Sequence, residues 1–218
     1  MLGLEIYSDP VCPWCFVGKS RLDKALAQSD QKVFDITWKP FQLNPDIPAE
    51  GMGRREYLET KFGGKEGAAR AYQPLIDTIS ADGLEIHLDR IRRMPNSLDA
   101  HRLIRWAEIE QLNVERLVDA LFIAFFRDGR DIGRPEELAA IAESCGMDRS
   151  LAIQLLQSDA DKDYVRRSDY QARQMGISAV PQFIVGGRYA VAGAQPTMLW
   201  NKVIAEIQTG DGRKTAAI

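Results

Sequence analysis

The sequence predicts an α/β fold in which an all-helical domain interrupts the chain. A strand, a helix and a second strand are indicated within roughly the first 40 residues, and two short strands followed by a helix are indicated after residue 177. The region between them carries almost only helical periodicity. We therefore expect the order βαβ, helical insertion, ββα, with residues 1–48 and 163–218 in the α/β parts and residues 49–162 in the insertion.

The first α/β part begins with the stretch GLEIYS at 3–8, which has the pattern of a short strand. From Pro13 the pattern becomes helical, and proline suits a first turn because its missing N–H would have no helical partner there. In VFDITWKPF at 33–41 apolar and polar residues alternate, which predicts a second strand. Together these elements form a βαβ unit, whose crossover is right-handed by the general rule.

The inserted domain is predicted to follow NPDIPAEGMG at 44–53, since a stretch rich in proline and glycine is typical of a domain boundary. Amphipathic periodicity then predicts a series of helices, and Asn96 is a plausible cap for one of them. The apolar run ALFIAFF at 120–126 is explained by packing in the core. The outer side of its helix would equally suit the interface of a homodimer, so both interpretations stay open. The predicted helices cover 97–109, 114–126, 135–146, 149–157 and 159–175.

The β pattern returns in ISAVPQFIVGGRYAV at 177–191. Two short strands are predicted on either side of Gly186 and Gly187, a two-residue hairpin signal. A last amphipathic helix is predicted from Pro196, and the tail at 210–218 is expected to be loose.

Composition and charge indicate an ordinary globular protein. Of the 218 residues, 45% are hydrophobic and 27% are charged, and the net charge is −3. This balance argues against nucleic-acid binding, and no segment approaches the about 20 apolar residues that a membrane helix needs. The N-terminal stretch lacks the basic and apolar regions of a signal peptide, so we expect a cytoplasmic protein that binds no membrane.

Two cysteines, Cys12 and Cys15, lie in the motif CPWC at the predicted junction between the first strand and the first helix. Structural disulfides are rare in the cytoplasm, so this spacing indicates redox chemistry or metal binding. A helix N-terminus lowers the pKa of a cysteine, and we therefore expect Cys12 to be an accessible thiolate nucleophile. Cys15, one turn further along and less exposed, is placed to resolve a mixed disulfide formed on Cys12.

A metal site is the weaker alternative for this pair. Structural zinc usually takes two pairs of ligands, whereas the chain has one CxxC pair, and His87 and His101 are isolated from each other. Both histidines are interpreted as surface or core residues, with His101 able to face a cleft, and Asp9 is interpreted as a loop residue. Cys145 lies on an apolar helical stripe and is expected in the core. Dithiol chemistry requires no metal and no organic cofactor.

The stretch AVPQF at 179–183 places Pro181 at the start of a predicted strand, and two interpretations stay open. A proline cannot donate to a strand ladder, so it often stands at the beginning of a strand. Alternatively, a cis peptide bond at this position would leave the backbone of Val180 free to pair with an incoming chain.

Three motifs taken together resemble the DsbA family of thioredoxin-like fold, and its FrnE-like subgroup in particular. They are CPWC at 12–15, NSLDAHRL at 96–103 and GISAVPQFIVGGRYAVAGAQ at 176–195. The resemblance implies that Cys12 is the nucleophile, that Cys15 is the resolving cysteine, and that Val180 and Pro181 form a cis-proline loop beside them. It also implies that substrate binds along the site residues Pro13, Trp14, Val180 and Pro181.

The predicted function is therefore that of a thiol–disulfide oxidoreductase or isomerase. Its expected partners are proteins or peptides that contain disulfides, and glutathione is a further candidate. A more distant resemblance connects the chain to 2-hydroxychromene-2-carboxylate isomerases and kappa-class glutathione transferases. Those enzymes typically carry serine at the position of Cys12 and lack the CxxC pair, so the two thiols favour dithiol chemistry. A binding module or chaperone without turnover is the remaining alternative.

Overall fold

The structure is a computed structural model that describes residues 1–209, so the predicted loose tail at 210–218 lies outside the described residues. Its strands are β1 (Leu2–Ser8), β2 (Phe34–Pro40), β3 (Met52–Gly53), β4 (Arg93–Met94), β5 (Gln182–Val185) and β6 (Tyr189–Ala192). The main sheet has the order β2-β1-β5-β6. β1 runs parallel to β2 and antiparallel to β5, and β5 and β6 form an antiparallel hairpin.

Helices make up most of the remaining described chain. They are α1 (Pro13–Leu26), α2 (Arg54–Phe62), α3 (Lys65–Asp82), α4 (Leu98–Ile109), α5 (Val114–Phe122), α6 (Pro135–Ser144), α7 (Arg149–Leu156), α8 (Lys162–Gln174) and α9 (Thr197–Gln208). The expected α/β class, with βαβ first and ββα last, is confirmed. Within residues 1–209 no helix combines the length and the hydrophobicity of a membrane span.

The core of the α/β part forms where α1 and α9 cover one face of the sheet. Alternation along β1 and β5 buries Ile6 opposite Phe183, and both side chains are at most 2% exposed. The ring of Phe183 meets that of Trp200 on α9 edge to face, with 4.8 Å between centroids. This packing holds β1 at the centre of the sheet and directs its C-terminal end toward α1.

A second buried cluster joins the helical region to the sheet. The apolar run at 120–126 contributes Phe122, Phe125 and Phe126, which are almost fully buried within the chain itself. Phe16 of α1 stacks on Phe122 and Phe126, with centroid distances of 5.2 and 5.8 Å. The insertion therefore packs directly against the helix that carries the two cysteines.

The predicted helix at 114–126 changes its winding before it ends. α5 stops at Phe122, and Ile123–Arg127 forms a π-helical turn. This wider turn brings the consecutive residues Phe125 and Phe126 into the core together, which accounts for the departure from α-helical geometry.

Several elements of the insertion differ from the sequence-based expectation. The region after residue 53 was expected to be helical without defined bounds, and α2 and α3 occupy it with two glycines, Gly63 and Gly64, between them. β3 and β4 were not predicted, because each is only two residues long and has no room for an alternating pattern. The N-cap of α4 is Ser97 and not the expected Asn96, one residue earlier, although the Asn96 Oδ1 accepts the Leu98 N–H at 3.0 Å.

The proposed boundaries at 48/49 and 162/163 stay a prediction. α8 begins at Lys162 and contacts both β2 and α4, so it touches the sheet and the insertion alike.

Candidate active site

Cys12 and Cys15 lie within one turn at the beginning of α1. Cys12 is the N-cap residue and has extended backbone angles, φ −90° and ψ 115°, while Pro13 occupies the first turn. The N–H groups of Cys15 and Phe16 donate to the Cys12 carbonyl at 3.0 and 3.3 Å, and the Cys12 N–H donates to the Asp9 carbonyl at 2.9 Å. Both cysteines are free thiols, and the sulfur of Cys12 stands at the positive end of the helix dipole.

Both sulfurs are more buried than the sequence indicates. Cys12 is 3% exposed and Cys15 is 2% exposed, so the expectation of an accessible Cys12 is wrong for this conformation. The Cys12 Sγ donates to the carbonyl oxygen of Val180 at 3.6 Å, and Tyr57 and Met94 of the insertion belong to the same buried cluster. Chain segments far away in sequence therefore cover the sulfur.

The environment of Cys15 keeps it protonated. Burial raises the pKa of the Cys15 thiol well above its ordinary value, and the neighbouring Cys12 raises the pKa further. The Ser8 hydroxyl and the Asp9 backbone N–H act in the opposite direction, with smaller effect. At neutral pH Cys15 is thus a thiol that must lose a proton before it can attack a disulfide.

The loop before β5 lies beside the two cysteines. The peptide bond between Val180 and Pro181 is cis, and the carbonyl of Pro181 accepts the Gly193 N–H at 2.8 Å. Gly18 of α1 lies directly against Pro181, because a Cβ atom built on Gly18 would be 2.9 Å from the Pro181 Cγ. The structure thus brings Cys12, Val180 and Pro181 together.

Replacing Gly18 by valine is expected to weaken this contact between α1 and the loop. The new side chain must displace the Pro181 ring, and such overpacking costs about 1–3 kcal/mol of unfolding free energy. Urea denaturation measures that loss, and we also expect the rate of disulfide exchange to fall several-fold. Gly3→Ala is the matched control, because a Cβ at Gly3 meets no atom within 4 Å. Equal stability of the two variants would contradict a close fit at Gly18.

Pro13 and Trp14, which separate the cysteines, are both half-buried. Trp14 packs against the buried cluster that includes the helices of the insertion. The role of Pro13 and Trp14 in substrate binding stays a prediction.

A lysine of the insertion, Lys61, lies within electrostatic reach of Cys12. Burial lowers the pKa of Lys61, while negative charge on Cys12 and on Asp9 raises it. Its Nζ donates to the Asn44 Oδ1 at 2.6 Å and to the Tyr57 hydroxyl at 2.9 Å. Because these hydrogen bonds hold the ammonium in place, Lys61 supplies a fixed positive charge that sequence analysis did not identify.

Asp9 and His101 form a buried pair beneath the CxxC turn, which sequence analysis also missed. Asp9 has no exposed surface, and its carboxylate accepts the N–H groups of Val11 at 3.2 Å and Leu43 at 2.6 Å. The His101 Nε2 lies 3.7 Å from the Asp9 Oδ1. Asp9 lies in the loop after β1, as interpreted, but its burial and its pairing with His101 were not expected, because no local pattern connects it to a histidine on α4.

Burial shifts the pKa values of Asp9 and His101 in opposite directions. Loss of water raises the pKa of Asp9, and the charge of His101 and the Leu43 and Val11 amides lower it by less. Loss of water lowers the pKa of His101, while Asp9, Asp169 and the Phe41 backbone raise it by less.

The third cysteine and the other histidine lie apart from this site. Cys145 is buried in the core of the insertion, as predicted, with the Ser144 hydroxyl 3.7 Å from its sulfur. His87 is partly exposed and lies 3.6 Å from Glu85. In the part of the chain that the structure describes, no three His, Cys, Asp or Glu side chains are grouped to hold a metal ion.

A sheet of this order, with a CxxC turn between its first strand and the following helix and with a helical insertion, defines a protein of thioredoxin-like fold. The chain belongs to the DSBA-like thioredoxin domain family, whose model matches residues 3–205. The resemblance to the DsbA family is thereby confirmed, while the FrnE-like subgroup stays a prediction.

Two proteins are similar to the chain over nearly its full length. A probable DsbA oxidoreductase from Streptomyces coelicolor is 30% identical, covers 100% of this chain and 93% of its own, and superimposes with a TM-score of 0.84. The Bacillus subtilis protein YwbO is 26% identical over 94% of this chain and 96% of its own length.

Two more distant structures share the fold. A 2-hydroxychromene-2-carboxylate isomerase is 15% identical, with a TM-score of 0.71 over 98% of this chain and 100% of its own. The cytosolic disulfide reductase DsbM from Pseudomonas aeruginosa, solved with glutathione, is 14% identical, with a TM-score of 0.66 over 97% of this chain and 98% of its own. The sequence-based likeness to the isomerase is thus confirmed at the level of the fold.

Proposed function

We propose that the protein is a cytoplasmic thiol–disulfide oxidoreductase in which Cys12 attacks the substrate and Cys15 resolves the mixed disulfide. The observation that carries the proposal is the pair of free sulfurs within the first turn of α1, next to Val180 and Pro181. Membership of the DSBA-like family supports this chemistry.

The order of the two cysteines follows from their surroundings. Cys12 is the N-cap residue of α1 and lies next to the Val180 carbonyl, beside the groove along which a substrate would bind. Cys15 lies one turn further into α1, and burial raises the pKa of its thiol above that of an ordinary cysteine. The Cys12 thiolate therefore attacks one sulfur of a substrate disulfide and releases the other as a thiol.

The resolving step completes the exchange. Cys15 loses its proton and attacks the Cys12 sulfur of the mixed disulfide, so that the Cys12–Cys15 bond forms and the second substrate sulfur leaves as a thiolate. In total one substrate disulfide is reduced to two thiols while the protein dithiol is oxidised to a disulfide. The same steps in reverse oxidise a substrate, and the reduction potential of the pair decides the direction.

The substrates that fit this site are disulfide-containing proteins or peptides. A groove of about 320 Å³ runs along residues 175–193 and is lined by Val180, Pro181 and Gln182. An extended peptide in the groove would pair its backbone with Val180 and bring its disulfide to Cys12. The half-buried Pro13 and Trp14 would border the same peptide. Because Cys12 is covered in this conformation, the substrate must displace the Val180 contact to reach the sulfur.

Glutathione is the second proposed partner. Its disulfide form would oxidise the Cys12–Cys15 dithiol, or its thiol form would reduce the Cys12–Cys15 disulfide. Its support is the fold shared with DsbM, a cytosolic reductase whose structure contains glutathione. That similarity is also the support for a cytoplasmic location.

A glutathione-dependent isomerase or transferase is the alternative function, and the fold shared with the 2-hydroxychromene-2-carboxylate isomerase favours it. In such an enzyme Cys12 would hold or activate glutathione, and Cys15 would take no part in turnover. The presence of both thiols in one helical turn supports dithiol exchange instead.

The replacement of Cys15 by serine separates the two functions. We expect the variant to accumulate a mixed disulfide on Cys12 when it is mixed with oxidised glutathione, and to lose turnover, because no second thiol can release the adduct. Mass spectrometry of the intact protein detects the adduct, and peptide mapping places it. Cys145→Ser is the control and should keep full turnover. Wild-type turnover by Cys15→Ser would favour the isomerase or transferase.

A further inference from the structure

A groove of about 450 Å³ lies on the insertion, along one side of α2. Its other walls are the first turn of α3 and the segment 88–92 that leads into β4. α2 also contributes Tyr57 to the buried cluster that contains Cys12. This helix therefore contacts the cluster around Cys12 on one side and borders the groove on another.

Four cations line the groove, and three of them have no carboxylate partner. Arg55 is paired with Glu59 at 2.8 Å. Within residues 1–209, Arg54, Lys65 and Arg92 form no ion pair. These three side chains come from α2, α3 and the segment before β4. Because unpaired cations from three segments meet at one groove, the groove attracts a negatively charged partner.

The fold holds Arg54 in place beside Arg92. The Arg54 N–H donates to the Arg92 carbonyl at 3.0 Å, so the two residues are neighbours. The Arg54 guanidinium lies over the Tyr72 ring of α3, 5.4 Å from its centre, in a cation–π contact. A side chain that is already positioned loses less conformational entropy when it binds an anion.

The groove is positive although the chain as a whole is negative. Its carboxylates are Glu59, which is paired with Arg55, and Asp89. Four cations and two carboxylates leave a net charge of +2 in the groove, whereas the whole chain has a net charge of −3. The partner that fits by charge is therefore acidic.

Apolar side chains complete the lining of the groove. Leu58, Ala68 and Leu88 are half-buried, and Ile91 is buried. α2 has nine residues and is about 13 Å long, which equals about four residues of extended chain. A groove of this length, with both cations and apolar side chains, fits a short peptide segment that contains acidic and apolar residues.

We propose that this groove binds an acidic segment of a protein substrate, outside the substrate disulfide itself. This assignment rests on the proposed dithiol function. Carboxylates of the segment pair with Arg54, Lys65 and Arg92, and an apolar side chain of the segment covers Leu58. Because α2 also contacts the cluster around Cys12, a substrate held in the groove is kept near the site, which raises the effective concentration of its disulfide.

A nucleic acid fits the groove less well than an acidic peptide. Glu59 and Asp89 would repel phosphates, and one face of the Tyr72 ring is covered by Arg54 and is not free to stack on a base. The apolar lining suits amino-acid side chains. A single-stranded oligonucleotide therefore serves as a competitor in the test.

The binding of a short peptide without cysteine measures the groove alone. The probe has alternating glutamate and leucine residues and a neutral fluorescent label, and its counterpart has glutamine in place of each glutamate. Fluorescence anisotropy gives the dissociation constants. Lys65→Glu/Arg92→Glu is compared with Lys32→Glu/Arg188→Glu, which makes the same change of charge at two exposed cations that do not line the groove.

We expect the wild type to bind the acidic peptide about tenfold more tightly than the glutamine peptide. Lys65→Glu/Arg92→Glu should remove this difference, because two attractive pairs become repulsive. Lys32→Glu/Arg188→Glu should stay within about twofold of the wild type. Lys65→Gln/Arg92→Gln makes a milder change that keeps the test valid if the charge reversal disturbs folding, and it should lose affinity in the same direction.

Three results would overturn the binding assignment. The first is an equal dissociation constant for the two charge-reversed variants, and the second is equal binding of the two peptides by the wild type. The third is displacement of the labelled peptide by the oligonucleotide at a lower concentration than by the unlabelled acidic peptide, since nucleic acid would then be the occupant.

Turnover connects the groove with the substrate. Two peptides with the same internal disulfide are compared, one extended by the acidic segment and the other by its glutamine counterpart, with dithiothreitol as the reductant. The wild type should have the lower KM for the acidic peptide at similar kcat, and this preference should disappear in Lys65→Glu/Arg92→Glu. Equal KM values in the wild type would overturn the role in substrate binding. If the cysteine-free peptide binds but the wild type reduces neither disulfide faster than Cys12→Ser does, the dithiol function fails and the groove remains a binding site.

Discussion

Replacing Cys12 by serine is expected to abolish disulfide exchange, with a loss of about a thousandfold or more. A serine hydroxyl is not ionised near neutral pH and forms no disulfide, so both the attack and the mixed disulfide are lost. The effect on the fold should be small. Serine is close to cysteine in size, and the Cys12 side chain makes one weak hydrogen bond, to the Val180 carbonyl at 3.6 Å.

The reduction of insulin by dithiothreitol, followed by turbidity, measures this loss. Cys145→Ser is the matched control, because it makes the same substitution at a buried thiol outside the site. It should keep wild-type activity. Activity of Cys12→Ser equal to that of the control would show that the fold acts without dithiol chemistry, as a chaperone would.

Replacing Arg102 by methionine is expected to cause the largest loss of stability, about 3–5 kcal/mol of unfolding free energy. The Arg102 side chain is fully buried in α4, and its guanidinium lies 4.9 Å from the centre of the Trp106 ring. Its nitrogens donate hydrogen bonds to one carboxylate and to four backbone carbonyls at and beyond the end of α7. The acceptors are Asp99, Leu155, Leu156, Ser158 and Ala160.

The size of this effect follows from the carbonyls of Leu156, Ser158 and Ala160, which would be left without a donor. The Leu155 carbonyl keeps the N–H and the hydroxyl of Ser158 as donors. Methionine fills the apolar part of the site but donates no hydrogen bond, and each unsatisfied buried carbonyl costs about 1–3 kcal/mol. Arg102→Lys should recover only part of the loss, because an ammonium cannot reproduce the planar fork of donors.

Urea denaturation of both variants checks this expectation. Arg70→Met is the control, since the Arg70 side chain is 76% exposed and its ion pair with Glu66 is long, 3.9 Å. It should stay within about 0.5 kcal/mol of the wild type. An unfolding midpoint of Arg102→Met close to that of the control would contradict a central role for Arg102 in holding α7 against α4.

Local patterns were sufficient to predict much of the fold. A short strand pattern predicted β1 and alternation predicted β2, and the structure pairs the two strands in parallel along their full lengths. The first-turn prolines Pro13 and Pro135 marked the beginnings of α1 and α6 to the residue. The Gly186–Gly187 pair marked the hairpin between β5 and β6. Each of these signals acts within a few residues, so the sequence displays it directly.

Elements that depend on distant partners were not predicted. β3 and β4 exist because Met52 pairs with Met94, across two helices of intervening chain. The π-helical turn at the end of α5 depends on the aromatic rings that surround Phe125 and Phe126. Neither feature has a sequence period of its own, because the contacts that stabilise it are made by other parts of the chain.

The features of the candidate site likewise fall into those that depend on neighbouring residues and those that depend on distant ones. The sequence by itself determined the CPWC pair and its place at the beginning of a helix, because both depend on neighbouring residues. Only the tertiary structure decided that Cys12 lies under the Val180 carbonyl, 168 residues away, and that Asp9 meets His101. Burial and charge around a group are set by whatever the whole chain packs against it. For that reason the protonation of Cys15 and of the Asp9–His101 pair follows from the fold and not from the motif.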